Sequence, residues 1–426
     1  MGTTAQLRED LKNGKLDERL KRVYVTDAEI KLQYDRFCAL ADDFDSVFSS
    51  ASQVRMFSAP GRTEVGGNHT DHNHGRVLAA GINLDAIALA AKNDENIVRI
   101  KSKGYAMDVV DIADLSVHPE EEGHSPALVR GVVNGFLNYG YNIGGFDAVT
   151  ASKVLSGSGL SSSAAYEVLV GTMLNYLYND GKVDAVTIAK IAQYAENEYF
   201  GKPCGLMDQM ASSVGSFITI DFADPKQPVI EKVDFDFASC GHSLCIVDTK
   251  GSHSNLTDEY AAIRIEMEGV AHHFGKKVLR EVDEAEFKKN IPALRSELGD
   301  RAVLRAIHFF NDNARVVKEV EALKNNDFDK FKTYVIESGE SSYKYNQNVF
   351  APKQADVQPV SVALAVSEEI LKGKGAWRVH GGGFAGTIQA FVPNDLLNVY
   401  KTEIEAIFGE GSCYVLSIRP VGGVEI

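Results

Sequence analysis

The chain has 426 residues, and its 59 acidic residues outnumber its 44 basic ones, which gives a net charge of −15 and a pI of about 5.3. This balance argues against a general nucleic-acid binder and against a protein that docks on anionic lipid, because both need a basic surface. It does not exclude an anionic ligand, since backbone amide groups at the start of a helix bind phosphate locally.

The first elements predicted along the chain are two amphipathic helices. Amphipathic patterns predict helices over residues 5–22 and 27–41, and Leu7, Leu11, Leu16 and Leu20 are spaced for one face of the first. A short strand is expected at 54–57. It leads into a segment over 59–75 that we predict to be a loop, because its Gly, Asn and His residues make it too polar for a core.

Strands and helices then follow one another without a regular βαβ alternation. Helices are predicted at 126–139, 163–178, 184–200, 355–372 and 394–408, and over most of 257–340. Strands are predicted at 97–102, 146–152, 216–222, 243–249, 377–380, 387–392 and 413–419. This mixture indicates an α+β fold.

Features that the sequence lacks predict the cellular location. No apolar run approaches the ~20 residues that cross a bilayer, and the chain start lacks the apolar segment of a secretory signal. The five cysteines are odd in number and scattered, which argues against a disulfide framework and a zinc site. We expect a cytoplasmic protein with reduced thiols and no membrane partner.

A segment rich in Gly and Ser, Gly157–Ser163, lies between a predicted strand and a predicted helix. Its glycines let a ligand approach the backbone, and the helix start offers free N–H groups to phosphate. The segment has neither the Lys of a Walker A loop nor the third Gly of a dinucleotide-binding turn. Two interpretations stay open at this point: a phosphate cradle, and a flexible turn with a serine N-cap.

Three His, two Asn, one Asp and one Arg fall within Gly61–Gly75. Such polar density is costly unless the side chains are solvated or bound to a ligand. A metal site would use His69, Asp71 and His72, although the spacing of a loop fixes no coordination geometry. A sugar site would use the mixed donors and acceptors of these side chains. A polar surface loop is the third interpretation.

Two further segments carry weaker signals. Asp208 follows a helix stop at Gly201–Pro203 and lies among apolar residues, so it is either an N-cap or a carboxylate held in a cleft. The run Gly381–Gly383 lies between two predicted strands and allows close backbone approach, which a plain turn explains equally. Neither segment specifies an activity by itself.

Taken in order along the chain, these segments resemble the GHMP small-molecule kinases, and most closely the galactokinase family. The resemblance is carried by Pro60–Arg62 with His69–Leu78, by Gly157–Ala164, by Pro203–Gln209 and by Gly381–Gly386. Each motif alone is weak, but four motifs in the family order are specific. The correspondence covers most of the chain.

The resemblance implies an ATP- and Mg²⁺-dependent kinase that phosphorylates the anomeric hydroxyl of a sugar, with galactose as the leading substrate. Asp208 would accept the proton or orient the hydroxyl, and Arg62 would keep that carboxylate ionised. The Mg²⁺ ligands would be Ser163 and Glu196, whose oxygens suit this hard cation.

The remaining implied site residues fall into two sets. The residues that would bind the phosphates of ATP are Gly157, Ser158, Gly159, Leu160, Ser161, Ser162 and Ser163. The residues that would bind the sugar are Asn68, His69, Asp71, Gly205, Asp208 and Tyr260.

The chain departs from the family at positions that bear on the sugar. Galactokinases usually read GRVNLIGEHTDY, whereas this chain has Glu64 in place of the Asn and Asn68 in place of the Glu. A neutral donor at position 68 would tolerate a sugar carboxylate, so a galacturonate kinase is one alternative. A galactokinase-like sugar sensor without chemistry is another, although the pair Ser163-Ala164 favours an enzyme.

The resemblance also implies two lobes with the active site in a cleft between them. We predict a helical extension over 1–50, an N-terminal kinase domain over 51–222 with 411–426, and a C-terminal domain over 223–410. The expected partners are ATP and a small-molecule sugar, with no nucleic acid and no membrane. A monomer is favoured.

Overall fold

A computed structural model of the chain describes residues 2–49, 52–154, 160–251 and 256–426. The α-helices are α1 (Thr4–Lys12), α2 (Asp17–Lys21), α3 (Asp27–Val47), α4 (Ser125–Asn138), α5 (Ser162–Tyr178), α6 (Ala185–Tyr194), α7 (Met207–Val214), α8 (Thr257–His273), α9 (Glu284–Leu298), α10 (Asp300–Lys324), α11 (Phe328–Ser341), α12 (Pro359–Leu371) and α13 (Leu397–Phe408). The strands are β1 (Arg55–Gly66), β2 (Arg76–Lys92), β3 (Ile97–Ser102), β4 (Met107–Asp111), β5 (Phe146–Ser152), β6 (Phe217–Asp221), β7 (Val229–Val233), β8 (His242–Asp248), β9 (Ala376–Val379), β10 (Thr387–Pro393), β11 (Cys413–Leu416) and β12 (Val424–Glu425). This mixture of helices and strands confirms the expected α+β class.

The chain divides into two compact units, each built from separate stretches of sequence. Unit 1 comprises Met1–Arg62, Gly81–Ser216 and Arg419–Ile426, and unit 2 comprises Thr63–Ala80 and Phe217–Ile418. The predicted extension over 1–50 belongs to unit 1. The boundaries predicted at residues 222 and 411 differ from those of the units, and the predicted cleft stays a prediction.

Unit 1 is built on a sheet with the strand order β12-β1-β2-β5-β3-β4. Strands β2 and β5 pair antiparallel, and β3 and β5 pair parallel, so the sheet is mixed. The helices α4, α5, α6 and α7 pack against one another. Helix α5 is apolar along most of its length and is largely buried, which fixes the position of its first turn.

The helix predicted over 27–41 forms as α3, whereas the single helix predicted over 5–22 is wrong: a turn over residues 13–16, in which Gly14 has a φ of 69°, divides it into α1 and α2. Phe37, Leu40 and Phe44 of α3 share one hydrophobic core with Leu89 and Val149 of the sheet. Each of these buried side chains contributes roughly 1.5–3 kcal/mol to the stability of the fold. The N-terminal extension is therefore an integral layer of unit 1.

A buried polar network joins the same extension to the sheet. Asp85 of β2 is fully buried and lies 2.7 Å from the Arg36 guanidinium of α3 and 3.2 Å from that of Arg419. The hydroxyls of Tyr24 and Ser58 also donate to it. Burial works to raise the pKa of Asp85, but the two guanidinium groups outweigh burial and hold this pKa below its usual value.

Unit 2 contains two sheet segments and two helical layers. The first residues of β2 pair with β6, which pairs with β7, and a separate antiparallel sheet has the order β11-β8-β10-β9. Helices α8, α9, α10 and α11 pack together, while α12 and α13 contact the separate sheet. In the described part of the chain, no helix is both long enough and apolar enough to span a membrane.

The loop predicted over 59–75 is wrong for its first half. Strand β1 continues to Gly66, and its residues from Met56 onward are buried. The polar side chains Thr63 and Glu64 belong to unit 2 and have partners within that unit. Gln389 Nε2 donates to Thr63 Oγ1 at 2.7 Å, and Arg378 Nη2 lies 2.6 Å from Glu64 Oε1. Polarity alone therefore gave the wrong element.

We expect Asp85→Ala to lower the free energy of unfolding by about 3–5 kcal/mol, because it leaves the buried Arg419 guanidinium without its carboxylate. Urea denaturation followed by circular dichroism measures this. The control is Asp42→Ala, which removes an exposed pair with Arg8 and should cost less than about 1 kcal/mol. Equal losses in the two variants would contradict the role of the network.

Candidate active site

The central feature of unit 1 is a bidentate ion pair between Arg62 and Asp208. Arg62 lies on β1, and Asp208 lies in the first turn of α7. Arg62 Nε donates to Asp208 Oδ1 at 2.7 Å, and Nη2 donates to Oδ2 at 2.8 Å. Such parallel bonds fix geometry as well as charge, so the two predicted catalytic residues are held in one arrangement.

The Asp208 carboxylate is kept ionised. Desolvation works to raise its pKa, but the Arg62 charge and its hydrogen bonds, followed by the Ser161 hydroxyl, outweigh this effect and hold the pKa below its usual value. About a third of the Asp208 side chain stays exposed. It is therefore a charged acceptor that a substrate hydroxyl can reach.

The start of α5 lies against the same carboxylate. Ser161 is the residue before the helix and takes a left-handed conformation with φ of 56°, and its hydroxyl donates to Asp208 instead of capping the helix. The first turn holds Ser162 and Ser163, and among the described residues no side chain caps its backbone N–H groups. A helix start of this kind can bind an anion, so phosphate binding by this turn stays a prediction.

The sequence-predicted phosphate loop is only partly covered by the structure. The predicted ligands Gly157, Ser158 and Gly159 lie outside the described residues. Leu160 is buried, and its carbonyl accepts from the backbone N–H of Arg62 at 3.1 Å. A Cβ atom at Gly61 would lie 2.9 Å from that carbonyl oxygen, so this approach requires glycine.

Oxygen atoms cluster around the predicted metal ligands Ser163 and Glu196. Ser163 Oγ donates to Glu196 Oε1 at 3.2 Å, and the Gln209 amide donates to Glu196 Oε2 at 2.7 Å and to Glu167 at 3.2 Å. Within the described residues, Oε1 of Glu167 and Oε1 of Gln209 are buried and have no hydrogen-bond partner. Unpaired buried oxygens beside a carboxylate fit a Mg²⁺ ion, which prefers hard oxygen ligands.

A cavity of about 490 Å³ in unit 1 was missed by the sequence reasoning. Its lining is mostly apolar, with several hydroxyls: Ala86, Ser102, Lys103, Tyr105, Ser125, Thr150, Ala151, Ser152, Lys153, Val154, Ser162 and Tyr166. Ser162 places the cavity beside the start of α5. Tyr105 is 72% exposed, which leaves its ring face available for stacking on a planar base. An aromatic residue in the Gly-Tyr turn after β3 was the signal available in the sequence.

The sequence-predicted sugar residues fall in both units. Gly205 and Asp208 lie in unit 1, with Gly205 exposed in the segment before α7. The other four, Asn68, His69, Asp71 and Tyr260, lie in unit 2. Asp71 opens a single helical turn, in which its carbonyl accepts from the backbone N–H of His74 at 3.0 Å.

Asn68 is a fully bonded residue in the interior of unit 2. Its side-chain N–H groups donate to Glu64 Oε1 at 3.0 Å and to the carbonyl of Gly381 at 2.7 Å. Its Oδ1 accepts from Asn348 at 2.9 Å and from Ser342 at 3.2 Å. Both donors and both acceptor positions of this amide are thus occupied within unit 2.

The triple-glycine turn is held by the other two predicted sugar residues of unit 2. The ring Nε2 of His69 lies 2.9 Å from the carbonyl of Gly382, and the Tyr260 hydroxyl donates to the carbonyl of Gly383 at 2.9 Å. A Cβ atom at Gly382 would lie 2.6 Å from Cε1 of Tyr260, so only glycine fits there. The structure therefore brings Asn68, His69 and Tyr260 together around one turn.

A buried carboxyl lies in the same unit. Glu319 of α10 is fully buried, and neither of its carboxyl oxygens has a hydrogen-bond partner in the described part of the chain. Burial and then the charge of Asp312 raise the pKa of Glu319 to about 8, although Arg378 and Arg315 act against the shift. The folded protein therefore holds a proton on this carboxyl near neutral pH.

Comparison with known proteins defines the class first. The profile of the GHMP kinases N terminal domain matches residues 127–216, and the galactokinase galactose-binding signature matches residues 42–92. The fold resembles a Lactococcus lactis galactokinase solved with galactose, with a TM-score of 0.76, 23% identity, and coverage of 91% of this chain and 99% of that one. It also resembles a Methanococcus jannaschii mevalonate kinase, with a TM-score of 0.61, 14% identity, and coverage of 86% and 98%. The fold is that of a GHMP kinase.

Curated relatives narrow the class. A galactokinase of Glaesserella parasuis is 33% identical over 362 residues, which cover 84% of this chain and 90% of that protein. A galactokinase of Streptomyces coelicolor is 32% identical over 358 residues, which cover 83% and 88%. The chain belongs to the galactokinase family, and it is an enzyme of the phosphotransferase class.

We expect Glu319→Gln to flatten the dependence of stability on pH. The pKa of Glu319 is higher in the folded state than its ordinary value of 4.5, so its contribution is complete below that value and is lost as the pH rises towards about 8. Urea denaturation at about pH 5 and about pH 8 measures the free energy of unfolding. Between these two pH values this free energy should fall more for the wild type than for the variant.

The matched control for this measurement is Glu321→Gln, an exposed position on the same helix, which should follow the wild-type dependence. Parallel curves for the wild type and Glu319→Gln would contradict the assigned protonation.

Proposed function

We propose that this protein is a galactose kinase that transfers the γ-phosphoryl group of ATP to the anomeric hydroxyl of galactose. The observation that carries the proposal is the ionised Asp208 carboxylate, which Arg62 fixes and which accepts a hydrogen bond from Ser161, the residue before the start of α5. A proton acceptor and a phosphate-binding helix start thereby share one site, as phosphoryl transfer to a hydroxyl requires.

Each residue of this site has a separate part in the proposed reaction. Asp208 orients the sugar hydroxyl and accepts its proton, while Arg62 holds the carboxylate in place and keeps it ionised. The N–H groups of the first turn of α5 bind phosphate oxygens. Ser163 and Glu196 would hold Mg²⁺, which would neutralise charge on the phosphates when bound.

The choice of galactose rests on the relatives. These relatives are galactokinases, and the matched galactose-binding signature covers Asn68, His69 and Asp71. The galacturonate alternative is not favoured, and the Asn68 amide that motivated it already has all its hydrogen-bonding positions occupied. The sensor alternative is not favoured either, and the intact Arg62–Asp208 pair supports chemistry.

Location and assembly are part of the same proposal. All five cysteines are free, which supports a reducing compartment such as the cytoplasm. We propose a monomer, which light scattering on the purified full chain would test.

A sugar panel tests the proposed activity. The full chain is incubated with ATP, Mg²⁺ and galactose, glucose or galacturonate, and ADP release is followed together with phosphorus NMR of the product. We expect galactose to give the highest kcat/KM and a product phosphorylated at the anomeric oxygen. ADP release with none of the sugars would refute the proposal, and a preference for galacturonate would restore that alternative.

Asp208→Asn should lower kcat by at least about 100-fold, because the amide cannot accept the hydroxyl proton. Binding of ATP, measured by calorimetry, should change little. The control is Asp224→Asn, the same change at an exposed position in unit 2, which should leave kcat unchanged. Near-normal turnover of Asp208→Asn would contradict its role.

Tyr105→Ala tests whether the cavity beside α5 binds the adenine ring. Loss of stacking on one base costs roughly 1–3 kcal/mol, so the KM for ATP should rise about 5- to 100-fold with a small change in kcat. Tyr139→Ala removes a similarly exposed tyrosine elsewhere in unit 1 and should leave this KM unchanged. An unchanged KM in Tyr105→Ala would place the base elsewhere.

A further inference from the structure

Lys202 is a cation beside the site that the assigned roles do not use. It lies between α6 and α7 in the segment Gly201–Pro203, and its backbone N–H donates to the carbonyl of Glu196 at 3.2 Å. Its ammonium donates to Glu196 Oε1 at 3.3 Å. Its backbone is thus anchored while its side chain stays 64% exposed.

The ammonium of Lys202 lies next to the anion-binding start of α5. The oxygen that it contacts, Glu196 Oε1, also accepts from Ser163 Oγ in the first turn of that helix. Two donors that meet at one oxygen atom are close neighbours. An anion held by the first turn of α5 is therefore within reach of the Lys202 side chain, which is long and flexible.

The charge of Lys202 also reaches the proton acceptor. Burial has the largest effect on the pKa of Asp208, and Arg62 and Ser161 act next, but Lys202 adds a further downward effect. Burial and then the charge of Glu196 raise the pKa of Glu167 well above its usual value, and the same ammonium acts against that shift. Lys202 thus contacts Glu196 and acts electrostatically on two further acidic residues of the site, Asp208 and Glu167.

The other cation of this site, Arg62, is already engaged with Asp208 and is less accessible to a phosphate than Lys202. Arg62 directs Nε and Nη2 at Asp208, and its side chain is only 10% exposed. Among the described residues, the Lys202 side chain makes one contact, with the buried carboxylate of Glu196, while the lysine itself stays largely exposed. Its flexible side chain can therefore reach a bound phosphate, where phosphoryl transfer needs positive charge.

We propose that Lys202 is a catalytic residue that contacts the terminal phosphate of ATP and stabilises its charge during transfer, which rests on the proposed kinase function. In that step the bond from the γ-phosphorus to the β–γ bridging oxygen breaks, and a bond from the γ-phosphorus to the sugar oxygen forms. The hydroxyl proton goes to Asp208, the bridging electrons leave with ADP, and Lys202 keeps all its protons.

The test compares two nucleotides in the absence of sugar. Calorimetry with Mg²⁺ measures the affinity of the full chain for ADP and for a non-hydrolysable ATP analogue, in the wild type and in Lys202→Met. Loss of one charge-assisted contact should weaken the analogue about tenfold or more and leave ADP within about twofold. Lys202→Arg keeps the charge and should restore most of the preference.

A control removes the charge of another exposed lysine of unit 1, one whose carboxylate partner is exposed as well. Lys182→Met breaks the pair of Lys182 with Asp180 in unit 1 and should alter neither nucleotide affinity. Equal weakening of ADP and the analogue in Lys202→Met, or no weakening of either, would overturn the proposal. A wild type that phosphorylates no sugar refutes the proposed function, whereas an active wild type without this nucleotide difference refutes only the role of Lys202.

Discussion

The rest of the site depends on the ion pair between Arg62 and Asp208. A partly buried carboxylate without a partner would have a raised pKa and would lose its charge, and with it the capacity to take a proton. The guanidinium reverses that tendency, as the lowered pKa of Asp208 shows. The pair also joins β1 to α7, and Ser161 links the same carboxylate to the start of α5. One interaction thereby fixes the proton acceptor relative to the phosphate-binding turn.

The net charge of −15 and the affinity for phosphate that we propose are compatible because they act over different distances. Screening confines the field of scattered surface acids to about 8–10 Å in physiological salt, so distant carboxylates contribute little at the site. Close to it, the amide groups of α5, the Arg62 guanidinium and the Lys202 ammonium supply positive charge. The local carboxylates Glu167 and Glu196 are what a divalent cation needs.

Local patterns predicted the elements well where neighbouring residues determine them. The helix after the Gly/Ser segment was predicted from 163 and begins at Ser162, because serine and glycine end a strand and apolar spacing begins a helix. The continuation of β1 to Gly66 could not be predicted, since Glu64 is tolerated only through Arg378, which lies more than 300 residues further on. The cavity beside α5 was missed for a similar reason, because strands and helices from several parts of unit 1 line it. The site residues themselves came from the order of four motifs, which no single spacing would have given.

The two departures from the family pattern, Glu64 and Asn68, are one physical change. The family has an amide at the first position and a carboxylate at the second, and this chain has the reverse. In unit 2 the Asn68 amide donates to the Glu64 carboxylate, which is paired with the buried Arg378 guanidinium. A carboxylate introduced at position 68 alone would lie beside Glu64 and leave the carbonyl of Gly381 without its donor. The exchange keeps one acid and one amide in contact, so Asn68 is explained by its partner within the fold and needs no acidic sugar to account for it.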